Sequence, residues 1–275
     1  AGVNACLCEF ERQRVPYDVL DGRALRIPKA VRLLMLPAAF TLKEQAAAEI
    51  LAFVRRGGWV YCEAGTGVFR ENGFYIERAE DRPLAGALGI GVTRRRTNLE
   101  DAACTVPAGA WKGSPEMALQ GALWSLGLSV PKGARVIARD ATGDPMLIEA
   151  KAGKGRVIMS GTFPSHDHDE KPYKGFADLV ASLVEASGAS PRWRVTGTGG
   201  AGRLGARTGI AGAKRLFFVF NSGEATDIEI LPGEACGASA REWITGSVVR
   251  KTAAGTFKLR IPGPGHRVLE WPRRG

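Results

Sequence analysis

Residues 31–62 spell a strand, a helix and a second strand with few residues to spare, and no other stretch restricts the fold as much. Residues 31–36, VRLLML, form a near-continuous apolar run closed by Pro37, the texture of a strand buried on both faces of a parallel sheet. Thr41-Leu-Lys-Glu44 has the spacing of a capping box, in which hydroxyl and carboxylate each take up a free N–H of the first helical turn. Leu42, Ala46, Ile50, Phe53 and Val54 then recur three and four residues apart, which gives the helix one apolar face. Arg55 and Arg56 stand at its negative end and Gly57-Gly58 stops it. Trp59-Val-Tyr-Cys62 opens the next strand. Two strands joined through a helix pair in parallel, so a βαβ unit is expected.

The same grammar returns later. Residues 155–160, GRVIMS, read as another buried strand, and Phe176, Leu179, Val180, Leu183 and Val184 mark a helix over residues 173–186 that ends near Gly188. Between them, residues 135–138 and 145–150 read as strands whose Thr142-Gly143-Asp144 separation predicts a hairpin. Residues 189–204 are rich in Gly, Ser and Thr and lack a period, which predicts a linker. Beyond it the texture is all-β, with strands expected at 214–221, 226–231, 240–245, 256–261 and 266–271 between Gly- and Pro-containing turns. The expected architecture is α/β: a parallel sheet with helices on both faces over residues 1–188, a linker over 189–204, and a small antiparallel β domain over 205–275.

Composition narrows the class. With 45% hydrophobic and 24% charged residues among 275, the chain has the material for a packed core, which excludes global disorder. No apolar run approaches the roughly 20 residues of a membrane-spanning helix. The chain begins at Ala1 without an initiator Met or a basic-then-apolar leader, so a processed or truncated product is expected. The net charge is +10, and residues 190–275, with 14 basic against 6 acidic side chains, carry +8 of it. Those basic residues are scattered singly, with neither a basic helical face nor an aromatic-interleaved motif, so a solvated surface is expected rather than a nucleic-acid partner. Five cysteines, Cys6, Cys8, Cys62, Cys104 and Cys236, form no C-x-x-C pair. That favours a reducing, cytoplasmic compartment, although a domain of this size could be secreted without disulfides.

Chemistry in an open parallel sheet gathers at the carboxyl ends of its strands. There the chain runs Gly57-Gly-Trp-Val-Tyr-Cys-Glu-Ala-Gly65. This resembles the class I glutamine amidotransferase-like superfamily, in which Gly-Gly and a strand lead into a sharp Cys-x-Gly turn bearing the nucleophile. The resemblance places Glu63 at the nucleophile's position. A carboxylate cannot replace a thiolate in acyl transfer, and Cys62 points to the opposite side if the strand alternation persists. The superfamily's base follows a later strand in a pattern such as Gly-x-His-Pro-Glu. Here Gly161-Thr-Phe-Pro-Ser165 puts Phe163 where the His stands and Ser165 where the Glu stands. His166 or His168 would have to substitute after a local shift.

His166-Asp-His-Asp-Glu170 offers His166, His168 and Asp169 as candidate metal ligands, against the plainer reading of a charged loop ahead of the next helix. The Gly197-Thr-Gly-Gly-Ala-Gly202 cluster precedes β-like sequence rather than a helix, so it reads as linker and not as a phosphate loop. The tryptophans, Trp59, Trp111, Trp124, Trp193, Trp243 and Trp271, read as core anchors, with a sugar-stacking platform as the alternative.

One branch of the superfamily is more similar. Pro16-Tyr-Asp-Val-Leu20, the Leu33-Leu-Met-Leu-Pro37 strand, the Thr41-x-x-Glu44 helix, Gly57-Gly58 and its strand, and the Gly153-Lys-Gly-Arg-Val157 strand together resemble the trimerisation domain of family 42 glycoside hydrolases, the β-galactosidases, over about residues 15–187. Leu216-Phe-Phe-Val-Phe-Asn221, Trp243-Ile-Thr-Gly246 and Arg267-Val-Leu-Glu-Trp271 are similar to the small β domain that ends those enzymes. The resemblance implies that hydrolysis belongs to an N-terminal (β/α) barrel with two catalytic glutamates. Eight βα units need about 250 residues, so no barrel fits here, and no carboxylate of this chain inherits those roles. What the resemblance implies for this region is an assembly role. The implied partners are further copies of the chain, as a trimer, and a barrel upstream of Ala1, with carbohydrate as an additional candidate. No cofactor is implied.

Overall fold

A computed structural model of the protein describes residues 2–97, 102–189, 193–197, 204–232 and 236–272. The chain divides into two compact units. One comprises Ala1–Glu9 and Asp18–Ala189, the other Phe10–Tyr17 and Ser190–Gly275. The sequence division leaves residues 10–17 with the first domain, whereas here they count with the second.

The first unit takes in most of helix α1 (Gly2–Arg12), then strand β1 (Leu33–Leu36), helix α2 (Glu44–Arg55), strand β2 (Trp59–Cys62) and the short helix α3 (Pro83–Ala87). Strands β3 (Val92–Arg96) and β6 (Ser125–Leu128) form one antiparallel pair, and β4 (Cys104–Val106) and β5 (Met117–Leu119) another. Strands β7 (Arg135–Arg139), β8 (Pro145–Ala152) and β9 (Gly155–Ser160) follow, then helices α4 (Pro164–Glu170) and α5 (Lys174–Ala186).

The main sheet has the order β1-β2-β9-β8-β7. The β1-α2-β2 unit expected from the sequence is present with β1 and β2 parallel, and β9 joins β2 in parallel. The sheet as a whole is mixed rather than parallel, because β8 runs antiparallel to β9 and to β7. The cause is local. The expected hairpin turn at Asp140–Asp144 joins β7 to β8, and a tight turn at Gly153 joins β8 to β9, and turns this short can only reverse the chain.

Alternation along β2 sets its two faces. Val60 and Cys62 enter a core with Ile50, Phe53 and Val54 of α2 and Val157 and Met159 of β9. Tyr61 points the other way, toward Cys6 of α1 and Tyr173 at the head of α5. Strand β1 departs from expectation. It is the sheet's edge and is half-buried along its whole length, not buried on both faces, because β2 covers one side only. Thr41 does not cap α2 either. The capping position falls on Lys43 with no side-chain bond, while Thr41 bridges to Phe69 as a fragment of extended chain.

The second unit is antiparallel. Strands β10 (Trp193–Gly197), β13 (Thr226–Pro232) and β16 (Phe257–Ile261) form one sheet. Strands β11 (Leu204–Ala211), β12 (Lys214–Asn221), β14 (Ser239–Glu242), β15 (Val248–Arg250) and β17 (Gly265–Pro272) form the other, in the order β11-β12-β17-β14-β15. The inward residues of both sheets share one core, in which Trp193 stacks on Phe217 at 4.7 Å and lies 4.6 Å from Trp271. Two sheets closing over a common core make a sandwich. The 189–204 linker expectation therefore fails at residues 193–197, where Trp193 anchors a core strand paired to β13. Residues 190–192 and 198–203, with most of the Gly197–Gly202 cluster, lie outside the described residues. Residues 10–17 join this unit through bonds from Arg14 to the Val195 carbonyl and from Arg207 to Glu11, with Arg207 over the Tyr17 ring at 4.9 Å.

Among the described residues no helix is long and apolar enough to cross a membrane.

Candidate functional site

The end of β2 carries a buried polar cluster on the parallel side of the sheet. Glu63 leaves the strand fully buried, and four donors surround its carboxylate. The Ser165 N–H and hydroxyl donate at 2.9 and 2.7 Å, the Tyr61 hydroxyl at 3.2 Å and the Ala38 N–H at 3.2 Å. Ser165 lies in the first turn of α4, whose free N–H groups favour an anion at that end. Burial pushes the Glu63 carboxyl up to about 7, while the bonds from Ser165, Ala38 and Tyr61 pull the other way. The turn itself needs Gly65, since a Cβ there would lie 2.4 Å from the Phe40 ring and 2.8 Å from that of Phe163.

No nucleophile–base pair forms here. Cys62 is buried on the α2 side of the sheet, as alternation requires, with its thiol directed at the Ile158 carbonyl 3.6 Å away. Burial and then the Glu63 carboxylate hold that thiol in its protonated form, so it supplies no thiolate. Phe163, at the position where the superfamily resemblance places a His, is a packing residue. Its ring meets Trp124 edge-on at 4.7 Å and lies 5.8 Å from Phe40. The void beside Glu63 holds about 10 Å³, no more than one water needs. The strand end is closed to a substrate.

The HDHDE stretch is helix α4 rather than the expected loop. Residues two apart on a helix point about 200° away from each other, so the helix separates the two histidines. His168 is buried against Glu9 at 2.8 Å, His166 lies 3.7 Å from Glu170 at the surface, and Asp169 accepts from Asn4 at 2.7 Å. Among the described residues no group of three His, Cys, Asp or Glu side chains is placed to hold a metal. His168 Nδ1 accepts the Tyr173 N–H at 3.1 Å, which leaves Nε2–H to face Glu9 in the neutral ring. Sequence reasoning missed Glu9, because a lone acid in the first helix carries no sign of a partner beyond residue 160.

Of the two tryptophans considered for sugar stacking in the β unit, Trp271 is buried in the sandwich core and has no face to offer. Trp243 is half-exposed, on a turn held by the Glu242 carboxylate, which accepts from the N–H groups of Ile244 at 3.2 Å and Thr245 at 2.7 Å.

Solved structures share this fold. The β-galactosidase from Bacillus circulans sp. alkalophilus superposes with a TM-score of 0.73 at 17% identity, covering 98% of this chain and 37% of its own. A catalytic mutant of a GH42 β-galactosidase from G. stearothermophilus gives 0.71 at 17% identity over 99% of this chain and 36% of its own. The α-L-fucosidase isoenzyme 2 from Paenibacillus thiaminolyticus gives 0.68 at 12% identity over 98% and 45%. The chain thus spans little more than a third of the two β-galactosidases and under half of the fucosidase. No curated protein sequence matches it. Residues 10–188 match the β-galactosidase trimerisation domain family, and the chain belongs to that family.

Proposed function

We propose that this chain is the non-catalytic assembly region of a glycoside hydrolase, that its parent hydrolyses O-glycosidic bonds as a β-galactosidase, and that the parent assembles as a homotrimer. The observation that carries the non-catalytic reading is the closed strand end. The turn's key position holds a buried carboxylate bound to four donors, a phenylalanine fills the base's position, and no thiolate is available. The parallel β1-β2-β9 core with its sharp Glu63-Ala64-Gly65 turn supports reading the first unit as a degenerate flavodoxin-like, amidotransferase-like domain. Hydrolysis then falls to a barrel upstream in the same chain, with both catalytic glutamates outside this region. Five free cysteines support a reducing, cytoplasmic setting.

The test is made on the full-length protein. Light scattering gives the assembly mass, expected at three chains, and 4-nitrophenyl β-D-galactoside gives the activity. Glu63→Gln and Cys62→Ser are expected to leave kcat unchanged in whatever fraction remains folded. Loss of kcat in well-folded trimer would place chemistry at the β2 end and overturn the reading.

A second reading, a carbohydrate contact at Trp243, is favoured by that side chain's exposure on a braced turn. Fluorescence that does not change across a galactoside titration when Trp243→Ala is compared with the parent excludes it.

A further inference from the structure

A cavity of the first unit lies away from the closed strand end, at the opposite ends of β2 and β9. It is an open cleft of about 490 Å³, a size common for small-molecule sites. Trp59 and Trp111 wall it, and Lys112, Arg135, Lys151 and Arg156 bring cationic groups to it. At its floor lies Glu149, a strand residue only 3% exposed. Its Oε2 accepts the Trp111 indole N–H at 2.9 Å and Arg135 at 3.3 Å, and its Oε1 accepts Arg156. Arg156 also stacks over the Trp59 ring at 5.3 Å, and Arg135 donates to the Ala110 carbonyl at 2.7 Å.

Glu149 therefore fixes two guanidinium groups in place, and fixed donors bind an anion without losing side-chain freedom on binding. The charges do not balance. Four cations face one carboxylate, and Lys112 and Lys151, both exposed, have no ion-pair partner among the described residues. Like charges gathered in one cleft repel unless an anion joins them, and low-dielectric walls concentrate their field.

We propose that this cleft binds a small organic oxyanion, a sugar-sized molecule bearing a carboxylate or a phosphate monoester, with Lys112, Lys151 and the outer edge of Arg156 as its cationic contacts. The proposal is independent of the parent's activity, because none of these residues lies at the β2 carboxyl end or in the postulated barrel.

The test is calorimetric titration of the full-length protein at low salt with glucose 6-phosphate, D-glucuronate and neutral D-glucose, repeated on the K112A/K151A double variant. Both lysines are exposed, so the variant is expected to keep the parent's circular dichroism and assembly mass. Saturable binding of one or both anions, weakened at least tenfold in the double variant and restored by K112R/K151R, supports the proposal, and the anion that binds identifies the group recognised. Four results overturn it: no binding of either anion; equal affinity in the parent and K112A/K151A; glucose binding that the variant loses along with the anion; or no anion binding with a changed assembly mass in the variant, which would make the cleft a contact between chains.

Discussion

The Ser165 hydroxyl lies 2.7 Å from Glu63 and donates to it, so the residue at the sharp turn after β2 and the residue two places beyond Phe163 satisfy each other across 102 positions of sequence. Without Glu63 the buried Ser165 hydroxyl would lose this acceptor, and without Ser165 the buried carboxylate would lose two of its four donors, which is costly. Together with the Tyr61 hydroxyl and two backbone N–H groups they form a closed set.

The pH dependence of stability follows from this cluster. Burial raises the Glu63 carboxyl from its ordinary 4.5 to about 7, so the folded chain holds the proton more tightly than the unfolded one. The resulting stabilisation is complete below pH 4.5 and is lost as pH rises through 7. A shift of this size corresponds to about 3 kcal/mol. Urea midpoints of the full-length protein are expected to fall between pH 5 and pH 8, and Glu63→Gln is expected to flatten that fall. An equal fall in the variant would assign the effect to another group.

Phe163→Ala removes a fully buried ring that touches Trp124 and Phe40. Large-to-small changes of this kind cost about 3–5 kcal/mol through lost burial and the cavity left behind. Denaturant unfolding of the first unit should show that loss, and Phe163→His, which puts a polar ring into the same apolar contacts, should lose stability as well.

Thiol accessibility separates two cysteines sharply. Cys8 is exposed, whereas Cys62 is fully buried with its thiol held protonated. Iodoacetamide at pH 8, followed by peptide mass mapping, is expected to label Cys8 in the native protein and Cys62 only after urea is added. Rapid native labelling of Cys62 would mean that β2 opens.

Gly155 begins β9 against two carbonyls. A Cβ there would lie 2.1 Å from the Gly58 oxygen and 2.2 Å from that of Val54, both backbone atoms that cannot swing aside. Gly155→Ala is expected to cost about 1–3 kcal/mol, as overpacking does. Gly22→Ala, where nothing lies within 4 Å, should stay within about 0.5 kcal/mol. Thermal unfolding of the two variants side by side makes the comparison.

The parts legible in the sequence were those whose signal is local. The apolar period of α2, the strand of residues 214–221 and the Asp140–Asp144 hairpin all stand where pattern put them. Errors arose where tertiary position overrode pattern. The LLML strand is as apolar as a central strand but lies at the sheet's edge, and Thr41 has the right spacing for a cap but is drawn into a bridge with Phe69. Trp193 stands in Gly- and Ser-rich sequence, so its core role was hidden by its neighbours. At the candidate site, the sharp turn at residues 63–65 was legible from its glycine, whose Cβ would meet the Phe40 and Phe163 rings. The clamp between Glu63 and Ser165 was not, since only the fold brings the two together. The same holds for Glu149, an acid in the middle of a strand whose three donors come from three separate segments.

The pairing of β2 with β9 also sets an order of events during synthesis. Cys62 and Ile158, neighbours across the central pair of the sheet, are 96 residues apart in the chain. At about 5–20 residues per second, roughly 5–20 s separate the emergence of β2 from the ribosome and that of its partner. Until then the β1-α2-β2 unit has an open inner edge of apolar sequence, available to chaperones or to the wrong strand. Long-range pairing of this kind slows folding, and the hairpins from β7 to β9 shorten the last step by delivering β9 already paired with β8, which in turn carries β7.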